Sequence, residues 1–337
     1  PGTNYWQLQT DYTIEATLNP GTQTIHGSET VLIHNNSNDE MTSIVLKLDH
    51  NIFRAFVPRG YSVPAETTEG MVITRIVVNG DEVDLTLRPR PWQRGVTPPP
   101  RLEAFALDQT VARITLEKPI VANSKATLEI DWHTKLPGGP NGRGHRMTQR
   151  WEDRVFQPTQ WFPRVAKYDD LRGWKTAPYL GPAEFFNNFG RFDVKIDVPG
   201  GWIGSGTGVL QNPEEVLTEF VRSRLEKVLD SDDEIVIVGE DERGAGKAPA
   251  EGNSLVWHFV ADQVNDFAWA SSDEYVWHAT RATIPEKGPV PIHMVFLPER
   301  ANRFERAGEL TRHALEFYSE LWAPYPFPQR TLQDGPS

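Results

Sequence analysis

Strict alternation of apolar and polar residues runs through the first third of this chain and commits that region to half-buried β-strands. Tyr12, Ile14, Ala16 and Leu18 alternate with Thr13, Glu15 and Thr17, and Pro20-Gly21 then turns the chain. A second run covers residues 25–34 and ends in Asn35-Asn36-Ser37-Asn38, and Ile44, Leu46 and Leu48 line one face of a third. Side chains at period two fall on one face of a sheet, so each run needs another layer to cover it. Asn79-Gly80, between 73–78 and 83–87, is a strong hairpin signal because both central positions of its tight turn need positive φ. Further strands are expected at 112–116, 126–132, 192–198, 202–208, 234–238, 255–259 and 275–279.

Two stretches break this pattern. Residues 89–100 hold five prolines and read as an irregular surface loop, and Pro137-Gly138-Gly139-Pro140-Asn141-Gly142 interrupts the strands again. Residues 151–190 are dense in aromatics, Pro and Gly with little periodicity, which predicts a packed irregular loop of the kind that lines sites.

Helical spacing occurs twice. Residues 213–229 carry Val216, Leu217, Phe220, Val221, Leu225, Val228 and Leu229, with Asn212 as N-cap and Pro213 as first residue. After a strand at 292–297 and Pro298, residues 301–322 place Phe304, Ala307, Leu310, Ala314, Phe317, Tyr318 and Leu321 on one face. Arg303, Glu305, Arg306, Glu309 and Arg312 lie elsewhere on that helix. Strand, helix and the start of another strand make an α/β beginning attached to a β chain. A domain boundary is therefore expected near residue 285, giving domains 1–285 and 286–337. The apolar helix face so near the last residue predicts that further chain covers it.

Composition narrows the partners. A formal charge of −12 opposes nucleic-acid binding, which needs a positive field. The absence of cysteine removes disulfides, thiolate zinc sites and thiol nucleophiles. No run approaches the roughly 18 apolar residues of a membrane span. The chain begins at Pro1. The expectation is an extracytoplasmic or membrane-associated bacterial setting after loss of a signal segment.

The common catalytic motifs are missing. There is no G-x-x-x-x-G-K-[ST], no G-x-S-x-G and no H-E-x-x-H. Gly204-Ser205-Gly206-Thr207-Gly208 reads as a tight bend or bulge. His313 and Glu316 read as the solvated flank of their helix, and His133, His145 and His293 stand singly. The acidic groups at 230–234 and 240–242 read as solvated loops without a calcium-loop pattern. Asp169, Asp170 and Glu184 lie in the aromatic region. They serve either acid–base chemistry or, as the favoured reading, acceptance of backbone N–H bonds.

Several segments together resemble the front half of the gluzincin zinc aminopeptidases, the family of membrane alanyl aminopeptidase and the leukotriene hydrolase. They are Gln160-Trp161-Phe162-Pro163-Arg164 with Tyr168-Asp169-Asp170, then Glu184-Phe185-Phe186-Asn187-Asn188-Phe189-Gly190 with Phe192-Asp193-Val194 and Val198-Pro199. Thr207-Gly208-Val209-Leu210-Gln211-Asn212-Pro213, Asn265-Asp266-Phe267-Ala268-Trp269-Ala270 and Tyr325-Pro326-Phe327-Pro328-Gln329 follow in the family's order, with wording of a bacterial branch. The resemblance implies a mainly β fold: a saddle-like, multi-sheet β domain followed by the first strand and helix of a thermolysin-like α/β catalytic domain. It implies peptide substrates and hydrolysis of their N-terminal residues by a zinc enzyme, with the zinc ligands and general base outside residues 1–337. This chain alone is then expected to be inactive, to bind no catalytic metal and to frame the substrate cleft. Family saddles contribute a Gln or Glu to the substrate amine; Gln149, Glu152, Gln157 and Gln160 compete, and Gln160 is preferred for its place beside Trp-Phe-Pro. The alternatives are a non-catalytic interaction or scaffold module of the same fold and, more remotely, a carbohydrate-binding β-sandwich.

Overall fold

A computed structural model describes residues 5–60, 66–86, 99–138, 148–183, 185–243 and 254–335. The proline-rich run at 89–98, residues 139–142, His145, Glu184 and the Gly-rich stretch 244–253 lie outside the described residues. The fold is mainly β with several sheets, as expected. It divides into two compact units. One holds Pro1–Gln149, Pro158–Val194 and Asp262–Phe267, and the other Arg150–Gln157, Lys195–Ala261 and Ala268–Ser337.

The first unit opens with β1 (Gln9–Asn19), β2 (Thr24–Asn35), β3 (Met41–Lys47), β4 (Met71–Val78), β5 (Asp81–Glu82), β6 (Glu103–Phe105), β7 (Val111–Ile120) and β8 (Ser124–Lys135). Strands β1, β2, β8, β4 and β5 are successive neighbours in one sheet, and β3, β7 and β6 in another. Tyr12, Ile14, Ala16 and Leu18 of β1 are all buried, so the alternation in the sequence reports the covered face. Antiparallel register sets Tyr12 opposite Val31 and Val31 opposite Leu128. The β4–β5 turn is the Asn79-Gly80 hairpin, with φ of 51° and 88°.

The aromatic stretch is irregular, as its composition predicts, but it is packed mainly in its first part; Phe185, Phe186 and Phe189 near its end are exposed. Its described strands up to Trp174 are only two residues long, among them Arg164–Val165, which pairs with β3. Trp161 and Phe162 are each 1% exposed. The indole of Trp161 donates to the carbonyl of Phe267 at 2.9 Å and meets the rings of Trp132, Phe162 and Phe267 edge-on. Tyr12 stacks on Phe192 at 4.8 Å from the other side of the cluster's Phe162 contact. Aromatic burial on this scale replaces the ladder bonds that an irregular backbone lacks.

In the second unit, helices α1 (Pro213–Val216) and α2 (Glu219–Lys227) divide the helix expected at 213–229. Pro213 does open α1, but Asn212 does not cap it through its side chain. The Asn212 amide instead bonds Glu215 and the carbonyl of Val256, while Thr218 caps α2 by accepting from Val221 N–H. Strand Ile203–Gly206 pairs in unbroken register with Trp269–Ser272, and the expected bend follows it at Thr207-Gly208, where Gly208 has a φ of 89°. Glycine is required at 204 for a different reason. A Cβ on Gly204 would sit 2.7 Å from Cγ of Trp257, whose indole lies against the strand.

Another sheet of the second unit has the order Ile235–Val238, Val276–Ile284, Gly288–Phe296, Arg330–Gln333. Residue 285 falls in the turn between its two long strands. The last pair is parallel, Ile292 opposite Arg330, and parallel neighbours require a crossover. Helices α3 (Ala301–Phe304) and α4 (Ala307–Leu321) supply it, so the α/β beginning read from the sequence is present. The single apolar face expected of 301–322 is divided, however. Phe304, Ala307 and Leu315 pack on the sheet, whereas Leu310, Phe317, Tyr318, Leu321 and Trp322 are exposed. Arg312, which periodicity puts away from the apolar face, anchors the helix. Its guanidinium donates to the carbonyls of Arg281 and Asp232 and to the hydroxyl of Thr280. Glu316 accepts the Thr283 N–H at 2.8 Å, so it too is a tie to the strand rather than a solvated flank.

Candidate functional site

The four candidate amine-binding residues are separated by the fold. Gln149 and Gln160 belong to the first unit, and Glu152 and Gln157 to the second. Glu152 is exposed, with its carboxylate 3.6 Å from Arg154, and Gln157 is half-buried. Gln149 is fully buried, and neither atom of its side-chain amide has a hydrogen-bond partner. Gln160 is buried at a positive φ of 55°, and its amide oxygen accepts from the Arg164 guanidinium.

That bond opens onto a cluster of charges inside the first unit. Arg164 follows Pro163, and the pairing of Arg164–Val165 with β3 draws its side chain inward, leaving it 5% exposed. Its guanidinium lies 3.5 Å from Asp266 and 5.1 Å from the Phe162 ring centre. Asp266 comes from the Asn265-Asp266-Phe267 segment, which Trp161 ties down through the carbonyl of Phe267. Glu29 projects from β2 with both carboxylate oxygens buried and without a partner. Lys47 at the end of β3 stands 3.3 Å from the buried Asp49.

Burial dominates the electrostatics. It pushes the Glu29 carboxyl well above its ordinary range, against the opposing pull of Arg164. Burial raises Asp49 as well, although Lys47 and Arg164 pull it down. The Tyr12 phenol, which accepts the Val165 N–H at 3.0 Å, is raised by burial and then by the neighbouring Glu29. His50 is completely buried, with its Nε2 donating to the carbonyl of Lys135, and burial lowers its imidazole to about 4. Burial thus favours the neutral forms of Glu29, Tyr12 and His50, with Arg164 as the cation that organises Gln160 and Asp266.

Of the aromatic-region carboxylates, Asp169 accepts the N–H groups of Leu171 and Arg172 at 3.0 and 2.8 Å, and Asp170 is exposed. Asp169 therefore holds a turn. Sequence reasoning passed over Glu29 and Arg164. A signal for Glu29 was available, because it lies in phase with Ile25, Val31 and Ile33 on the buried face of β2. Nothing local marks Arg164, whose environment comes from β3 and the distant Asp266. Among the described residues no three His, Asp or Glu side chains converge as a metal site.

No protein-family profile and no curated protein sequence matches this chain. Solved structures do match it. A two-domain M1 zinc metallopeptidase, a point mutant bound to L-arginine, superposes with a TM-score of 0.53 and 12% identity over 98% of this chain and 57% of its own. The M1 zinc metallopeptidase from Deinococcus radiodurans gives the same values. A mutant form bound to L-tryptophan has 13% identity over 100% of this chain and 59% of its own, at the same TM-score of 0.53. The chain therefore spans less than two-thirds of the length of the structures it matches, and over nearly all of its own length it has the fold of M1 zinc metallopeptidases.

Proposed function

We propose that this chain is the N-terminal portion of a zinc aminopeptidase that removes N-terminal residues from peptides. The carrying observation is a fold match over 98% of this chain and only 57% of a two-domain zinc metallopeptidase. The parallel β-α-β unit at residues 288–333 supports reading 286–337 as the start of a catalytic domain after a β domain at 1–285. The exposed aromatic face of α4 supports a further domain as its cover. In this reading residues 1–337 frame the cleft and are inactive alone. Zinc belongs to the complete enzyme; the residues present here do not fit it, so none is assigned to the metal and no step is drawn through it.

Gln160 is the proposed contact for the substrate amine. Its amide oxygen has a second lone pair beyond the one given to Arg164, and Arg164 fixes its orientation. The test assays aminoacyl-aminomethylcoumarin substrates with residues 1–337 and with the longer parent. Turnover is expected only from the parent and only with zinc. Turnover by residues 1–337 overturns the reading, and an inactive parent without H-E-x-x-H favours the scaffold module. In an active parent, Gln160→Ala should raise KM by about tenfold, the worth of a hydrogen bond to a charged group, with a smaller effect on kcat.

A further inference from the structure

The second unit has a half-open pocket of about 210 Å³ between strand Ile203–Gly206, helix α2 and the sheet strands Val276–Ile284 and Gly288–Phe296. Its walls are mainly apolar. Trp257 and Phe259 form one side, stacked at 6.4 Å, and Leu210, Val228 and Val295 add aliphatic surface. No Lys, Arg, Asp or Glu lines it. An ion in such a space would lose its hydration without gaining a counter-charge, so the lining selects a neutral occupant. A dry apolar cavity of about 150 Å³ is enough for a benzene ring, so this one admits a ring with a short substituent.

The polar groups of the lining fix the substituent. The Trp277 indole donates to Nδ1 of His293 at 3.3 Å. That bond places the ring proton of the neutral imidazole on Nε2, a donor with no partner in the described structure. Burial keeps the imidazole neutral by lowering it to about 4. The room exists because position 204 is glycine, which lets the Trp257 ring lie on the strand backbone. An unpartnered donor in an apolar wall calls for an acceptor from the occupant.

We propose that this cavity is a binding site for small, neutral, single-ring compounds that carry a carbonyl acceptor, with His293 Nε2 as the hydrogen-bond donor. The site rests on residues of the second unit alone and stands independently of the peptidase reading.

Acetophenone is the probe, with ethylbenzene as its isostere without the acceptor and benzoate as its charged counterpart. Titration of the 337-residue chain by calorimetry should show one acetophenone per chain, bound at least tenfold tighter than ethylbenzene or benzoate. In the same titration, the ¹⁵N resonance of His293 Nε2 should shift. His293→Phe should weaken acetophenone at least tenfold while leaving ethylbenzene within about twofold. Val209→Trp, which fills the cavity from a half-buried strand position, should abolish both. If a variant fails to fold, the wild-type imidazole resonance still decides the matter. Absence of saturable acetophenone binding, equal affinity for ethylbenzene, or binding that leaves the His293 resonance unmoved overturns the proposal.

Discussion

Around Arg164, the first unit gathers Glu29, Lys47, Asp49 and Asp266, whereas the second unit has a half-open apolar pocket beside Trp257 and His293 with no charge in its lining. Both regions are aromatic and both hold a histidine lowered by burial to about 4. They differ in what satisfies the polar groups. In the first, one guanidinium serves Gln160 and Asp266 and tempers Glu29, although Arg164 Nε and both Glu29 carboxylate oxygens have no hydrogen-bond partner. In the second, the Nε2 donor of His293 is left to an occupant. A charged interior is rigid because removing one member strands the others.

Breaking the charged cluster should have the largest effect. Arg164→Met leaves the buried Gln160 and the half-buried Asp266 without their cation and should cost about 3 kcal/mol in urea unfolding. A loss below about 1 kcal/mol would mean the cluster is not held by Arg164. Combining it with Glu29→Gln should add less than the sum of the single effects, since the two side chains interact.

The histidine of the same unit gives the next effect. His50 titrates at 6.5 in an unfolded chain and at about 4 when folded. Above 6.5 both states are neutral and the residue contributes no pH dependence. As pH falls through that value the unfolded state takes up a proton that the native state refuses. Stability therefore declines until about pH 4, by a total on the order of 3 kcal/mol. Urea unfolding between pH 7 and 5 should be flatter for His50→Gln than for the parent chain. Identical slopes would show that His50 is accessible to water.

The smallest effect is expected on the outer face of α4. Phe317 is 49% exposed, and Phe317→Ser in the 337-residue chain should change stability by no more than about 0.5 kcal/mol. A larger loss would mean that this face is already covered in solution, and sedimentation of the chain would then identify a self-associated species.

Much of the first unit was legible in residue order. Alternation located β1 and β2, because a strand buried on one face must repeat every second residue. Asn79-Gly80 located a hairpin, because few other pairs accept positive φ twice in succession. The strand–helix–strand order near the end announced a parallel pairing, since short connections cannot make one. Periodicity failed where the partner was remote. It set Arg312 away from the apolar face, yet that side chain holds α4 to the carbonyls of Arg281 and Asp232. It read the whole run 204–208 as a bend or bulge, which holds at Gly208, whereas Gly204 lies within a strand and receives an indole from 53 positions away.

The candidate site divides along the same line. Glu29 was visible in principle as a carboxylate out of place on an apolar face, and the aromatic segment around Gln160 was visible as a packed loop. The cavity beside His293 was not visible at all, since its walls come from seven separate stretches of the chain brought together by pairing. Local sequence determined which faces are buried and where the chain turns, because those follow from side-chain spacing and backbone sterics. Only tertiary structure decided which buried groups meet, because burial fixes the cost of a polar atom and packing alone chooses its partner.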